Sequence, residues 1–149
     1  WNEVRVKGGA YGAGFQTART GNLRFYSYRD PHLDDTLARF ARASEWLAKF
    51  DPAAEAMEGY VVSTVAGFDT PLKARALVRR QDGDFFGGRT PESRAATRAQ
   101  MIDADAAALR ALAGPIAEAV AMDAVCVFGS KDIIEASDAG LAVIDLLNE

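Results

Sequence analysis

The chain has 149 residues, 49% hydrophobic and 26% charged, which is enough for one globular core and too little for two comfortable domains. A net charge of −4 and a pI near 5.1 offer phosphate polymers no long-range attraction, and no local basic patch offsets this, so nucleic acid is excluded as a partner. No apolar run approaches the ~18 residues of a membrane span, and no membrane partner is expected.

Taken in order, residues 1–6 read as the last turn of a helix, and Gly8 or Gly9 as its C-cap. Small and aromatic residues over 10–19 suit a strand, and Thr20-Gly21-Asn22 supplies turn chemistry for a hairpin into a second strand over 23–29. Asp30-Pro31 predicts a helix start, with Asp34 and Asp35 in the positive first turn. Leu33, Leu37, Phe40, Ser44 and Leu47 then share one face, so a long helix is expected to cover the sheet. Asp51-Pro52 repeats the start signal for a helix carrying Met57, Tyr60, Val61 and Val65, which Gly67 can end. Thr70-Pro71 and Thr90-Pro91 each read as a cap followed by a first helical proline, with Asp82-Gly83-Asp84 and Gly87-Gly88 interrupting the pattern between them. From Asp103 an alanine-rich run places Leu109, Leu112, Ala113, Ile116 and Val120 on one stripe and leads to a third strand over 124–128. Ser130 is expected to cap a final helix turning Ile133, Ile134, Leu141 and Ile144 to the core. The lone cysteine, Cys126, excludes an internal disulfide, and its apolar neighbours Val125, Val127 and Phe128 suggest a buried structural thiol.

Catalytic chemistry is sparse. His32 is the single histidine, so no histidine-based metal site and no imidazole triad can be assembled, and its place in a helix's first turn suggests a solvated residue. The glycines at positions 8, 9, 12 and 14 lie between a helix end and a strand, lack G-x-G-x-x-G spacing and are followed by no P-loop Lys-Ser or Lys-Thr pair, which argues against phosphate binding. Gly12 and Gly14 can instead permit a bulge, tight strand packing, or close approach of a peptide backbone. Beside these glycines, Arg5 and Tyr11 carry a guanidinium and a phenol, donors chemically able to hold a carbonyl oxygen. Composition alone favours a blander role: a helix-end salt bridge for Arg5 and sheet packing for Tyr11. Local salt bridging or capping accounts for Arg29 and Asp30, and a solvated face for Arg79 and Arg80.

Two stretches shift that balance. Arg5-Val6-Lys7-Gly8-Gly9-Ala10-Tyr11-Gly12 followed by Phe25-Tyr26-Ser27-Tyr28-Arg29-Asp30-Pro31 resembles the C-terminal half of the insulinase and pitrilysin group of inverted zinc peptidases, in particular the presequence protease branch. A looser likeness runs through residues 60–71. The resemblance implies related α+β domains in two halves that close around an unfolded peptide. It implies an H-x-x-E-H zinc helix in the N-terminal half, and an arginine and a tyrosine, here Arg5 and Tyr11, that reach across the chamber to the substrate's backbone carbonyls. On this basis residues 1–149 are expected to form a single, incomplete C-terminal α+β domain, a short antiparallel sheet of three strands covered by helices. The parent would be a zinc metalloendopeptidase acting on short unstructured peptides. Zinc would be a cofactor of that parent and not of this chain, which alone would be inactive. The implied partners are the peptide and the N-terminal half of the same polypeptide, in a soluble cytoplasmic or organelle-matrix setting. The alternative is an inactive relative serving as scaffold or partner subunit, which the presence of both Arg5 and Tyr11 disfavours. A freestanding ligand-binding module is disfavoured by the mid-helix character of the first residues.

Overall fold

The computed structural model describes residues 1–18 and 20–144. The described elements run as a π-helix (Asn2–Lys7), β1 (Gly12–Thr17), β2 (Leu23–Tyr28), α1 (Leu33–Ala41), α2 (Ala43–Ala48), α3 (Ala54–Phe68), α4 (Ala74–Phe86), α5 (Pro91–Ile102), α6 (Ala106–Ala111), α7 (Ala113–Ala121) and α8 (Lys131–Glu135). The class is α+β, as the alternation of aromatic strands and amphipathic helices implies. Two compact units divide the chain, one of Trp1–Ala48 with the chain from Leu112 onward, the other Lys49–Ala111.

In the first unit β1 and β2 pair antiparallel, with Gly12 opposite Tyr28, Gly14 opposite Tyr26 and Phe15 opposite Phe25. Their turn is closed by Ala18 N–H to Asn22 O (2.7 Å) and Gly21 N–H to Ala18 O (3.0 Å), with Gly21 at φ 85° supplying the left-handed step that a side chain resists. Along β2 burial alternates, so Phe25 turns inward and stacks on Phe40 of α1 at 5.2 Å, while Tyr26 and Tyr28 face outward. Val4, Ala10 and Ala13 form the buried apolar cluster that Phe40 packs against. The helix expected to cover the sheet is therefore present, but it breaks at Arg42 (φ −89°, ψ 2°) into α1 and α2, and α2 packs on α7. Helix α1 also starts later than the Asp30-Pro31 signal suggests. His32 is the N-cap, and the Asp30 carboxylate accepts the His32 N–H at 3.0 Å, which makes an Asx-turn ahead of the helix. Asp34, at the start of α1, accepts hydrogen bonds from Ser137 Oγ and from Asp138 N–H, tying the later segment to this end of the helix.

In the second unit α3 packs on α5. Arg94 donates to Phe68 O at 2.8 Å with its guanidinium 4.0 Å from the ring centre, and Arg98 Nε pairs with Asp69 at 2.7 Å. Thr90 does cap α5: its hydroxyl accepts the Ser93 N–H (3.2 Å) and the Ser93 hydroxyl accepts the Thr90 N–H (3.1 Å), a reciprocal box in front of Pro91. Elsewhere punctuation was overridden. Gly67 lies inside α3, Asp82-Gly83-Asp84 lies inside α4, and the helix after Thr70-Pro71 begins only at Ala74.

The third strand expected over 124–128 is not formed among the described residues, so the sheet has two strands. Asp123 at φ 51° turns the chain out of α7, and Val125 N–H folds back onto Asp123 O at 3.1 Å instead of onto a ladder. β-propensity expresses packing on a pleated surface, and without a neighbouring strand the apolar run has none. Phe128 is accordingly 93% exposed, and Cys126 is an exposed thiol, not a buried one. The last helix among the described residues is only Lys131–Glu135. Ser130 is its N-cap without a side-chain bond, and Leu141 and Ile144 lie outside it.

Candidate functional site

The π-helix is a rare, widened turn that occurs as short pieces near functional positions, and here it carries Arg5. Its exit is held by Gly9 N–H to Arg5 O (3.1 Å) and Ala10 N–H to Val4 O (3.3 Å). Gly8 makes this exit possible. A Cβ there would sit 2.5 Å from Val4 O and 2.6 Å from Arg39 Nη1, closer than van der Waals contact allows, although its backbone (φ −83°, ψ −12°) is open to any residue. Gly9, at φ 77°, then reverses the chain into β1.

The chain thereby returns alongside its own first turn. Arg5 Nε donates to Tyr11 O at 2.9 Å, while Tyr11 N–H donates to Arg29 O at 3.3 Å at the end of β2. Both main-chain groups of Tyr11 are thus held, while its side chain is 66% exposed and its phenol makes no hydrogen bond among the described residues. The Arg5 guanidinium lies 4.7 Å from the centre of the Trp1 ring. Tyr28 meets Tyr11 edge to face at 6.0 Å, and Arg29 places its guanidinium 5.8 Å from the Tyr11 ring centre and 5.5 Å from that of Tyr28. The result is an exposed ridge of three aromatic rings and two guanidinium groups, rich in donors and without a carboxylate paired to either arginine among the described residues. Such a surface can grip a main-chain carbonyl or other electron-rich oxygen.

The two residues singled out from sequence, Arg5 and Tyr11, are therefore brought together. The salt bridge in this turn is made by Glu3 and Lys7 instead (2.6 Å), and the Lys7 ammonium hydrogen bond holds the Glu3 carboxyl below the usual glutamate range. Trp1, Tyr28 and Arg29 were missed as members of the ridge. The signal for Tyr28 lay in hairpin register, since pairing Gly12 with Tyr28 sets that residue beside Tyr11. His32 is exposed. Among the described residues no three His, Cys, Asp or Glu side chains come together, so these residues do not fit a zinc ion. In the second unit α3 and α5 border an open, mainly apolar hollow of about 290 Å³ lined by Met57, Tyr60, Val61, Met101 and Leu109 among others, which offers no carboxylate, imidazole or amine. No helix among the described residues is long and apolar enough to cross a membrane.

The family model described as PreP C-terminal domain matches residues 1–130. Protein HypA of Clostridium perfringens is 30% identical over 135 residues, covering 91% of this chain and 14% of that protein. The mitochondrial presequence protease of Gibberella zeae is 34% identical over 103 residues, or 68% of this chain and 10% of that protein, and that of Mus musculus is 31% identical over 99 residues, 66% and 9% respectively. The chain thus spans about a tenth to a seventh of the length of these relatives. With the ridge-forming segment at residues 1–29 inside the matched region, the chain belongs to the PreP C-terminal domain family.

Proposed function

We propose that this chain is the substrate-contacting and chamber-forming C-terminal part of a zinc metalloendopeptidase that degrades short unstructured peptides, with Arg5 and Tyr11 as the groups that hold the peptide. The observation that carries this reading is the 2.9 Å bond from Arg5 Nε to the Tyr11 main-chain carbonyl, which ties the arginine to a residue whose phenol is exposed and makes no hydrogen bond among the described residues. Family membership and relatives named presequence protease support the peptidase assignment. The zinc belongs, in this reading, to the N-terminal half of the same polypeptide, since the residues described here cannot hold it. The chain alone is then inactive. Mitochondrial relatives favour an organelle-matrix setting.

Phenol and guanidinium donors aimed at a carbonyl strengthen their bonds as negative charge grows on its oxygen, and in a closed chamber they do so with little solvent screening. In the full-length protein Tyr11→Phe removes one donor while keeping the ring, and Arg5→Ala removes a charged one. Each is expected to lower kcat/KM by roughly ten- to a thousandfold with zinc content unchanged. Unaltered kinetics in both variants, with fold and zinc intact, would leave this segment as a wall with no catalytic contribution.

A further inference from the structure

Arg29 ends β2 in a conformation that arginine rarely takes. Its φ of 48° lies in the left-handed region, where a Cβ crowds the following carbonyl and glycine or asparagine is the usual occupant. Such an outlier persists only where surrounding contacts over-determine it. Two of those contacts converge on one neighbour. The Arg29 carbonyl accepts the Tyr11 N–H at 3.3 Å, and its guanidinium lies within cation–π range of both the Tyr11 ring (5.8 Å) and the Tyr28 ring (5.5 Å). Arg29 is exposed and pairs with no carboxylate among the described residues, so its charge is not committed elsewhere.

We infer that Arg29 is a positioning residue for Tyr11, an inference that rests on the substrate-contact reading of Tyr11. An exposed tyrosine would otherwise sample several side-chain rotamers, and aiming its hydroxyl at a substrate would cost that freedom at each binding event. Arg29 removes much of this loss in advance. Its guanidinium bridges the two rings, Tyr28 braces the Tyr11 ring edge to face at 81°, and the left-handed backbone step places carbonyl and guanidinium on the same neighbour. The unusual φ and the cation act together, which separates this role from simple strand capping.

The test uses the full-length protein and a fluorogenic peptide, with Arg29→Gly and Arg29→Lys each made in the parent and in Tyr11→Ala. Glycine accepts the left-handed backbone and keeps the carbonyl, so the side chain with its guanidinium is lost while the left-handed step can stay, and Arg29→Lys separates the loss of the cation from the loss of the stem. The expected result is a fall in kcat/KM of about three- to tenfold for Arg29→Gly, from losing one cation over two rings, and recovery to within about twofold for Arg29→Lys. In the Tyr11→Ala background Arg29→Gly should add nothing. A parental kcat/KM in Arg29→Gly, or a loss of the same size in the Tyr11→Ala background, overturns the positioning role while the substrate-contact reading stands. A parental kcat/KM in Tyr11→Ala itself overturns that reading, and the positioning role with it.

Discussion

Gly8 and Gly14 look alike in sequence but are held by different neighbours. At Gly8 an added methyl would meet the Val4 carbonyl at 2.5 Å, and a main-chain carbonyl inside a hydrogen-bonded turn cannot step aside. At Gly14 the clash, 2.7 Å, is with the far end of the Tyr26 ring, which is 40% exposed and can rotate away. Gly8→Ala is therefore expected to destabilise the chain by about 2 kcal/mol or more, and Gly14→Ala by less than about 1 kcal/mol. Chemical denaturation of the two variants in the same background checks the order. Equal effects, or a larger one at Gly14, would mean that the turn carrying Arg5 is looser than its contacts imply.

At the level of elements, the π-helix is bracketed by one ion pair, Glu3 with Lys7, and the hydrogen bond from Lys7 keeps the Glu3 carboxyl below its usual range. A carboxyl lowered by folding stabilises the folded state at pH above its unfolded value, and that contribution fades as pH falls through the folded value. Both groups are exposed, so salt should weaken the effect. Resonances of the Glu3 carboxyl followed by NMR are expected to titrate at lower pH than those of an unpaired glutamate, and to move up in Lys7→Met. A midpoint unmoved by that substitution would contradict the pairing. The sequence was most legible where signals are local: the hairpin turn at 20–22, the Thr90 cap and the apolar stripe that brings Phe40 to Phe25. It was least legible where a weak helix breaker lies among residues that favour the helix, as at Gly67 and Gly83, both exposed inside α3 and α4, where the cost of one glycine is about 1 kcal/mol and the flanking turns carry the helix through. The 124–128 run failed differently, because alternation of apolar residues cannot show whether a partner strand is in reach. Of the ridge, Arg5 and Tyr11 were accessible through motif likeness alone. Arg29 was not, since nothing in residues 25–31 announces a positive φ at an arginine.

On the scale of the molecule, exposed area is the dominant fact. The 16.0 kDa chain exposes 11394 Å², against about 8,900 Å² for its two units taken each as a separate compact body. Large side chains account for part of the excess, with Phe85 79%, Phe86 86% and Phe128 93% exposed, and the two-stranded sheet leaves open edges. The isolated chain is therefore expected to bind a hydrophobic dye and to self-associate. A monomer by light scattering at high concentration, with protected edge amides in hydrogen exchange, would contradict this. The central claim is that the Arg5 and Tyr11 ridge touches peptide, and photo-cross-linking tests it most directly. With benzoylphenylalanine at position 11 of the full-length protein, irradiation in the presence of a labelled peptide should give an adduct at that position, suppressed by excess unlabelled peptide, and none with the same group at exposed Phe85. No adduct at position 11 with a peptide the protein still cleaves, or equal labelling at both positions, would contradict the account.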